Sequence, residues 1–159
     1  MYPEIYVPKL MNKINDRIYI GAYHAAVNLE FKNEHSITHI LNCTCDTHDE
    51  LKRFDIQQLN IHDGYEITHD DLKFAFEAIE RALSSGGRIL VHCHAGISRS
   101  TGIVAGYLMR SGFSWDEALE IVRRGRPQAF PHPNIERSIK DYYNQTINVS
   151  NTLLGESNE

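Results

Sequence analysis

A cysteine and an arginine six positions apart are the residues of this sequence whose types and spacing most directly suggest chemistry. Cys93 ends a short apolar run, Arg99 opens a segment with helical spacing, and residues 94–98 lie between them. A short loop that enters a helix turns successive backbone N–H groups toward one point, which favours a tetrahedral oxyanion. Gly96 allows a backbone geometry that a Cβ would obstruct. The guanidinium of Arg99 supplies a planar grip on two phosphate oxygens.

The same surroundings make the cysteine a candidate nucleophile. Inward N–H groups and a nearby guanidinium stabilise a thiolate, the form of cysteine that attacks an electrophile. An inert buried Cys93 beside an ordinary surface Arg99 is the alternative. From the residue counts of this chain, His-Cys-x5-Arg is expected by chance only about 0.01 times, so we favour the functional interpretation. The predicted phosphate-binding residues are Cys93, His94, Ala95, Gly96, Ile97, Ser98 and Arg99.

Alternating strands and helices are expected to position this loop. Strands are predicted at residues 5–7, 17–21, 38–43, 56–61 and 88–93, and helices at about 22–33, from Thr68 to a stop at Gly86, at 99–110, from Ser114 to a stop at Gly125, and from Pro133 onward. This alternation predicts an α/β fold, with a central, mostly parallel sheet flanked by helices on both faces. Ligands of such folds bind at the carboxyl ends of strands, where Cys93 lies.

Length and composition bound the domain organisation. The 159 residues, 42% of them hydrophobic, fit one globular domain. We expect that domain to span residues 1–146, and the polar segment 147–159 to form a flexible tail. No run approaches 18 apolar residues, so no membrane span is expected. The N-terminus shows neither the basic patch nor the apolar stretch of a secretory signal.

Charge and cysteine content limit the partners and the compartment. With 16 Lys and Arg against 21 Asp and Glu, the formal net charge is −5, which makes general nucleic-acid binding unfavourable. Three cysteines in a chain without a visible secretory signal indicate a reducing compartment rather than a disulfide scaffold. We therefore expect a cytoplasmic protein that binds no nucleic acid. We also expect a monomer.

The loop and its surroundings resemble the cysteine-based protein phosphatases. His92-Cys93, five further residues and Arg99-Ser100 resemble the signature of that superfamily, and the stretch 92–109 is similar to its dual-specificity branch. Further similarities to the family lie at Ile18–Gly21, His39–Asn42, Arg126-Pro127 and Pro133-Asn134. The resemblance spans about residues 14–143. It implies the fold of the dual-specificity phosphatases and a phosphoric monoester hydrolase.

A hydrolase of this kind needs a general acid for the leaving oxygen, and four upstream carboxylates compete for that role. Asp70 and Asp71 lie in the first turn of a predicted helix, where capping already explains a carboxylate. Asp63 lies in a loop before Gly64, and it also matches the aspartate that the family places after this strand. We favour Asp63 over Glu66, although an Asx turn alone would also explain the Asp63 side chain.

The resemblance also implies a mechanism. Phosphotyrosine and phosphoserine or phosphothreonine would be hydrolysed through a phospho-cysteine at Cys93, with Asp63 as acid and then as base. Arg99 and the loop N–H groups neutralise the phosphate charge, so neither a metal nor a cofactor is expected. Ser100 is implied to donate to the leaving thiolate, the alternative being simple support of the helix start. The supporting residues are His92, Asn42 and Arg126.

A phosphorylated protein or peptide is the favoured substrate. No segment corresponds to the loop that deepens the pocket of tyrosine-only relatives, which implies a shallower cleft. The 93–99 loop lacks the lysines of similar phosphoinositide phosphatases, and His94 is the only partial substitute. Alternatives are an inositol phosphate or lipid, an RNA 5′-phosphate, a phosphate-binding module without turnover, and a sulfur-transfer or arsenate-reducing enzyme. Arg123, Arg124 and Arg126 form a basic cluster that either engages a second phosphate or is a solvated helix end.

Histidines and cysteines near the loop raise two further hypotheses. A metal site could use His92, Cys93, His94, Cys43 and Cys45. Neighbouring strand residues point to opposite faces, and the Cys43–Cys45 spacing is shorter than that of structural zinc sites, so a metal site is not favoured. Cys43 and Cys45 are expected to be buried structural cysteines, the alternative being a reversible disulfide to Cys93.

Overall fold

A five-stranded sheet forms the centre of the molecule. The computed structural model describes residues 10–28, 33–47 and 54–156, with side chains described as far as residue 147. The strands are β1 (Met11–Lys13), β2 (Ile18–Gly21), β3 (His39–Asn42), β4 (Asp55–Gln58) and β5 (Ile89–His92). Their order across the sheet is β1-β2-β5-β3-β4. Of these five strands only β1 runs antiparallel to its neighbour, so the predicted mostly parallel sheet is confirmed.

Helices follow most of the strands. Those that the structure describes throughout are α1 (Tyr23–Val27), α2 (His69–Ser84), α3 (Arg99–Leu108), α4 (Trp115–Gly125) and α5 (Pro133–Glu156), and a 3-10 turn at Met109–Ser111 extends α3. At the start of α2 the Thr68 hydroxyl accepts the Asp71 N–H, and Ser114 and Glu117 form the complete predicted capping box of α4. Gly112, with a φ of 98°, ends the 3-10 turn, as its place in the sequence predicts.

Alternation along the strands divides the core between the two faces of the sheet. Ile89 and Val91 of β5 face the larger cluster, which α2, α3, α4 and α5 complete, whereas Leu90 between them faces a smaller one. Tyr19 of β2 and Ala26 of α1 join Leu90 in that smaller cluster. Both faces of β5 are therefore covered, which explains why its sequence is a continuous apolar run. Helices lie on both faces of the sheet, as predicted.

The carboxyl ends of three parallel strands meet at one edge of the sheet. In the strand register, His92 of β5 lies opposite Gly21 of β2 and opposite Asn42 of β3. The Cys43 N–H donates to the His92 carbonyl at 2.8 Å, which carries the pairing one residue beyond β3. Cys43 and Cys93 therefore leave the sheet side by side, at the edge where ligands of such folds bind.

The structure adds one strand that was not predicted and shortens another. β1 is a short polar strand without apolar alternation, which the sequence pattern did not reveal, and the predicted strand at residues 5–7 lies outside the described residues. β4 ends at Gln58 rather than at residue 61. It ends there because the chain turns tightly at Leu59, whose carbonyl accepts the Ile61 N–H at 2.7 Å.

Two helix ends also differ from the prediction. The helix expected at about 22–33 ends at Val27, and residues 29–32 lie outside the described part of the chain. α5 continues to Glu156, past residue 147, where the sequence predicts fraying. A helix anchored by its packed first turns adds further residues without a new nucleation cost, which accounts for the longer span. Flexibility of residues 147–159 stays a prediction. None of the described helices is both long enough and apolar enough to cross a membrane.

Candidate active site

The carbonyl oxygens of residues 94–98 all point away from the centre of the loop that follows β5, here called the phosphate loop (residues 93–99). Each accepts a hydrogen bond of 2.6–3.2 Å from outside the loop: His94 from the Tyr23 N–H, Ala95 and Gly96 from the Arg126 guanidinium, Ile97 from the Phe130 N–H and Ser98 from the Gly102 N–H. Because a peptide plane carries its N–H opposite its C=O, the N–H groups turn inward. In these peptide planes the N–H groups are those of residues 95–99; among the described residues no acceptor engages them, so they can bind an anion.

Gly96 is required by the tightness of this loop. Its φ is +69°, in the left-handed region that residues with a side chain rarely adopt. A Cβ at this position would lie 2.6 Å from Nη2 of Arg126 and 2.8 Å from the backbone of Gly21. Any side chain here would therefore push the loop off both the arginine that holds it and the end of β2.

Cys93 begins the phosphate loop and has a hydroxyl as its neighbour. Its side chain is buried, and its Sγ lies 3.1 Å from Oγ of Ser100 in the first turn of α3. A hydroxyl at this distance can donate to a thiolate sulfur, and the positive end of the α3 dipole adds to the stabilisation of negative charge. The sulfur therefore occupies a position that suits a nucleophile.

Arg99 is held from one side and leaves a donor for a ligand. Its Nη1 donates to the carbonyl of Ile61 at 3.1 Å and to that of Cys43 at 3.5 Å, which fixes the guanidinium against the segments that follow β4 and β3. Its Nε is buried and has no acceptor among the described residues. A buried donor of a charged group is costly to leave unpaired, so this atom marks a place for an anionic ligand.

Arg126 holds the phosphate loop from the outside. The residue is only 1% exposed although it carries a charge. Its Nε donates to the Gly96 carbonyl at 2.6 Å, its Nη2 to the Ala95 carbonyl at 3.2 Å, and its Nη1 to Oδ1 of Asn12 at 2.6 Å. Three acceptors in different directions suit the planar fork of an arginine, and a lysine could not reach all of them.

The arginines near the end of α4 do not form one basic surface. Arg126 is buried and engaged, so the hypothesis that it binds a second phosphate is wrong. The Nε of Arg123 donates to the Ala129 carbonyl at 3.0 Å. Arg124 pairs with Glu120 one turn earlier, also at 3.0 Å, on the exposed side of α4. Arg124 instead fits the other alternative, in which these arginines form a solvated helix end.

His92 and Asn42 end neighbouring strands and bind the backbone of the loops that follow. Nδ1 of His92 lies 3.2 Å from the Cys93 carbonyl, an acceptor that assigns the proton to this nitrogen. Nδ2 of Asn42 donates to the Asp46 carbonyl at 2.6 Å, and its Oδ1 accepts from both the N–H and the hydroxyl of Thr44. These bonds fix the two loops that leave the sheet side by side.

Asp63 is exposed on the turn that follows β4, within a segment here called the acid loop (residues 61–66). Two residues before it, the Ile61 carbonyl accepts from Arg99. One residue after it, the Gly64 carbonyl accepts from Nδ2 of Asn134 at 2.9 Å. The acid loop is thereby held beside the arginine of the phosphate loop on one side and the start of α5 on the other.

The competing carboxylates have other partners. Oε1 of Glu66 lies 3.9 Å from Nη1 of Arg137 in α5. The Asp71 N–H donates to the Thr68 hydroxyl at 3.1 Å, and Asp70 lies in the same first turn of α2. The role of these two aspartates at a helix start is the one their position predicts.

A connecting segment, residues 130–134, contacts both loops. Its first N–H donates to the Ile97 carbonyl at 2.7 Å, and the N–H of His132 donates to Oγ of Ser98 at 3.0 Å. Its last residue donates to the acid loop, as described above. One short stretch of chain therefore sets the distance between the phosphate loop and the acid loop.

Two residues beside the phosphate loop were not anticipated from the sequence. Oδ2 of Asp46 lies 2.7 Å from Nε2 of His94. The ring of Tyr23 is stacked on the His94 ring, with 5.5 Å between centroids and 26° between planes. The sequence could have indicated Asp46 as a site residue, because it is a carboxylate just after a parallel strand. No sequence feature indicates Tyr23, since its contact with His94 depends on how α1 leaves β2.

The three cysteines are unpaired. Burial raises the pKa of the Cys43 thiol well above its ordinary value; negative charge on Cys93 raises this pKa further, and Arg99 opposes both. Cys45 is exposed, which corrects the expectation of a buried residue: it lies on the outer turn after β3, with Sγ 3.8 Å from the ring nitrogens of His62. Within the described residues no three potential metal ligands surround a common point. A disulfide to Cys93 stays a prediction.

Comparison with known proteins finds similarity to one family. A family model described as dual specificity phosphatase, catalytic domain, matches residues 18–145. Dual specificity protein phosphatase 19 of Mus musculus is 35% identical over 128 residues, which cover 77% of this chain and 57% of that protein. Dual specificity protein phosphatase 1B of Arabidopsis thaliana is 32% identical over 140 residues, which cover 84% of this chain and 82% of that protein.

A solved structure shares the architecture. The crystal structure of a mouse putative dual specificity phosphatase complexed with zinc tungstate superposes with a TM-score of 0.80 at 26% identity, covering 94% of this chain and 96% of that one. The similarity therefore extends beyond the phosphate loop to the sheet and the helices around it. The chain spans little more than half the length of the mouse phosphatase 19, 57% of it.

Proposed function

Because this chain belongs to the dual-specificity phosphatase family, we propose that it hydrolyses phosphate monoesters of proteins and peptides through a covalent intermediate on Cys93. One observation carries the proposal: the phosphate loop directs its carbonyls outward and its N–H groups inward, beside an unengaged Nε of Arg99. These groups donate toward one point, so a tetrahedral dianion matches them.

In the first step, the Cys93 sulfur attacks phosphorus in line with the leaving oxygen. An S–P bond forms while the P–O bond breaks, and the leaving oxygen takes a proton from the Asp63 carboxyl group. The loop N–H groups and Arg99 stabilise the three equatorial oxygens of the transition state. The dephosphorylated side chain departs, and a phospho-cysteine remains.

In the second step, water attacks the phospho-cysteine. The Asp63 carboxylate accepts the proton of that water, the S–P bond breaks, and inorganic phosphate is released with the Cys93 thiolate. Ser100 Oγ, 3.1 Å from the sulfur, donates to the thiolate as it forms. The protein's own donors neutralise the phosphate charge in both steps, so we assign no metal or cofactor to the reaction.

Phosphotyrosine and phosphoserine or phosphothreonine side chains are the substrates that we propose. The names of the relatives, dual specificity protein phosphatases, support this class. The solved relative is complexed with zinc tungstate, and tungstate is a tetrahedral oxyanion like phosphate. That complex supports an oxyanion site in a chain of the same fold.

We further propose a single catalytic domain, residues 1–146, that works as a monomer in the cytoplasm, with residues 147–159 as a flexible tail. The loops around Cys93 are held by contacts within this chain. A reducing compartment keeps the nucleophilic thiol in its active form.

The test is to trap the intermediate. Matched peptides carrying phosphotyrosine, phosphoserine or phosphothreonine, labelled on phosphorus, are mixed with the protein and quenched in acid. The unchanged protein should carry label on Cys93, and Cys93→Ser should carry none while still binding the peptides. Cys45→Ser, which replaces the exposed cysteine, is the matched control and should still carry label on Cys93.

Other outcomes would contradict the proposal at defined points. Turnover by Cys93→Ser would remove the nucleophile. Turnover confined to inositol phosphates or RNA 5′-phosphates would overturn the substrate class. Peptide binding without turnover by the unchanged protein would instead identify a phosphate-binding module.

A further inference from the structure

Four segments surround Cys93 at the carboxyl edge of the sheet and form what we call the mouth of the site: residues 43–47, 61–66, 93–99 and 130–134. Arg99 is the only arginine or lysine in these segments, and it is buried. The acidic residues of the mouth are Asp46, Asp63 and Glu66, all of them exposed. Within these four described segments, apart from the anion site itself, exposed carboxylates are therefore present and exposed lysines and arginines are not.

Asp46 is fixed in the mouth by its own backbone. Its N–H donates to the Thr44 hydroxyl at 3.1 Å. Its carbonyl accepts from Asn42 at 2.6 Å and from Nε2 of Gln58 at 3.2 Å. The backbone is thus held by β3 and β4, while the carboxylate projects from it with a side chain that is 59% exposed.

The carboxylate of Asp46 reaches across to the phosphate loop. Its Oδ2 lies 2.7 Å from Nε2 of His94, the residue directly after Cys93. One face of the His94 ring is covered by the stacked ring of Tyr23, and the Tyr23 N–H also donates to the His94 carbonyl at 2.9 Å. His94 is therefore held by an aromatic ring and by a carboxylate.

The pair of Asp46 and His94 carries no net positive charge in either protonation state of His94. With a neutral His94 the pair carries the full negative charge of Asp46, and with an imidazolium the two charges cancel. A phosphate group on a neighbouring residue of the substrate carries a charge of about −1.5 to −2 at neutral pH. Such a group meets repulsion from Asp46 when His94 is neutral and no net attraction from the pair when His94 is charged, and the four segments of the mouth carry no exposed lysine or arginine.

We propose that Asp46 is a specificity-determining residue, which selects singly phosphorylated sites with neutral or basic neighbours and disfavours a second phosphate or an acidic flank. The proposal rests on the proposed function and names the substrate class for the same site. The net charge of the chain, −5, acts in the same direction, because it favours substrates that carry positive charge.

The test is Asp46→Asn, which keeps an acceptor for the His94 ring but removes the charge. Two phosphotyrosine peptides are compared that differ only by a second phosphate, on a serine two residues away. The ratio of kcat/KM for the doubly over the singly phosphorylated peptide should rise about three- to tenfold at low ionic strength. The rise should shrink in high salt, and Asp46→Glu should restore the original ratio.

Asp16→Asn is the matched control. Asp16 is also an exposed carboxylate paired with a cation, Lys13 at 2.7 Å, but it precedes β2 and lies at the opposite edge of the sheet. This variant should leave the ratio unchanged. An unchanged or lower ratio in Asp46→Asn would overturn the proposal. If activity on both peptides fell equally, Asp46 would only support the loop.

A binding experiment separates this proposal from the proposed function. Dissociation constants of the two peptides are measured with Cys93→Ser, with and without Asp46→Asn, so that no turnover is needed. Absence of turnover in the unchanged protein would count against the proposed function alone, and the ratio of dissociation constants would still decide on Asp46. Failure of both peptides to bind would overturn both proposals.

Discussion

Nε of Arg126 donates to the carbonyl oxygen of Gly96 over 2.6 Å, which joins the end of α4 to the middle of the phosphate loop. The loop is thus shaped from outside by a buried group that takes no part in the chemical steps proposed above. Its inward N–H groups are oriented before any ligand binds, which is the condition for strong electrostatic stabilisation of a transition state.

Replacing Arg126 by lysine should lower kcat/KM at least about 100-fold, because the loop N–H groups lose their orientation. It should also lower the free energy of unfolding by about 3 kcal/mol, since a lysine leaves buried carbonyls and Asn12 unpaired. Steady-state kinetics and denaturant unfolding measure the two effects. Arg124→Lys makes the same exchange in an exposed pair and should change stability by less than about 0.5 kcal/mol. Full activity in Arg126→Lys would contradict the role given to the guanidinium.

Replacing Asp63 by asparagine should lower turnover of a phosphotyrosine peptide about 100-fold or more, because the leaving oxygen loses its proton donor. An aryl phosphate whose phenol is a strong acid should be affected far less. Glu66→Gln is the control for a carboxylate of the same loop. Equal losses on both substrates would remove Asp63 from the role of acid.

Replacing Ser100 by alanine should slow the second step more than the first, because its hydroxyl donates to the leaving thiolate. The expected fall in kcat is about ten- to a hundredfold. Rapid mixing should then show a burst of released alcohol or phenol followed by slow turnover, with labelled phosphate accumulating on Cys93. Loss of the burst itself would mean that Ser100 acts in the attack, or only supports the start of α3.

Cys43 should resist alkylation in the folded protein at a pH of about 8, where Cys45 reacts. Burial raises the pKa of the Cys43 thiol well above its ordinary value, so it stays protonated and unreactive, whereas Cys45 is exposed. Mass spectrometry of peptides after brief treatment with iodoacetamide measures this difference. In denaturant all three cysteines should be labelled. Equal labelling of Cys43 and Cys45 in the folded state would contradict the burial of the strand end.

The parts of the structure that follow from short-range rules could be predicted from the sequence. The capping residues Thr68 and Ser114 mark the starts of α2 and α4, because a side-chain oxygen there binds an N–H group two or three residues ahead. β5 was recognisable as a buried strand because both of its faces are covered. The loop between Cys93 and Arg99 could also be predicted, because its function depends on residues that are neighbours in sequence.

Contacts between distant segments could not be predicted in this way. The bond between Arg126 and Gly96 joins residues on either side of two helices; the family resemblance marks Arg126 as a supporting residue, but no short-range rule names Gly96 as its partner. The pair of Asp46 and His94 depends on the register of β3 against β5. Register is set by the packing of the whole sheet, so the sequence pattern places both residues at one edge but does not bring them into contact.

The connecting segment, residues 130–134, holds both halves of the reactive centre, the phosphate loop and the acid loop. Hydrogen bonds from one short stretch of backbone and side chain reach both halves, so the same residues hold the phosphate loop and the acid loop. A substrate therefore meets donors that these contacts have already oriented. Selection among substrates then depends on the electrostatic field around the mouth of the site. A single surface carboxylate such as Asp46 can therefore change which substrates are preferred.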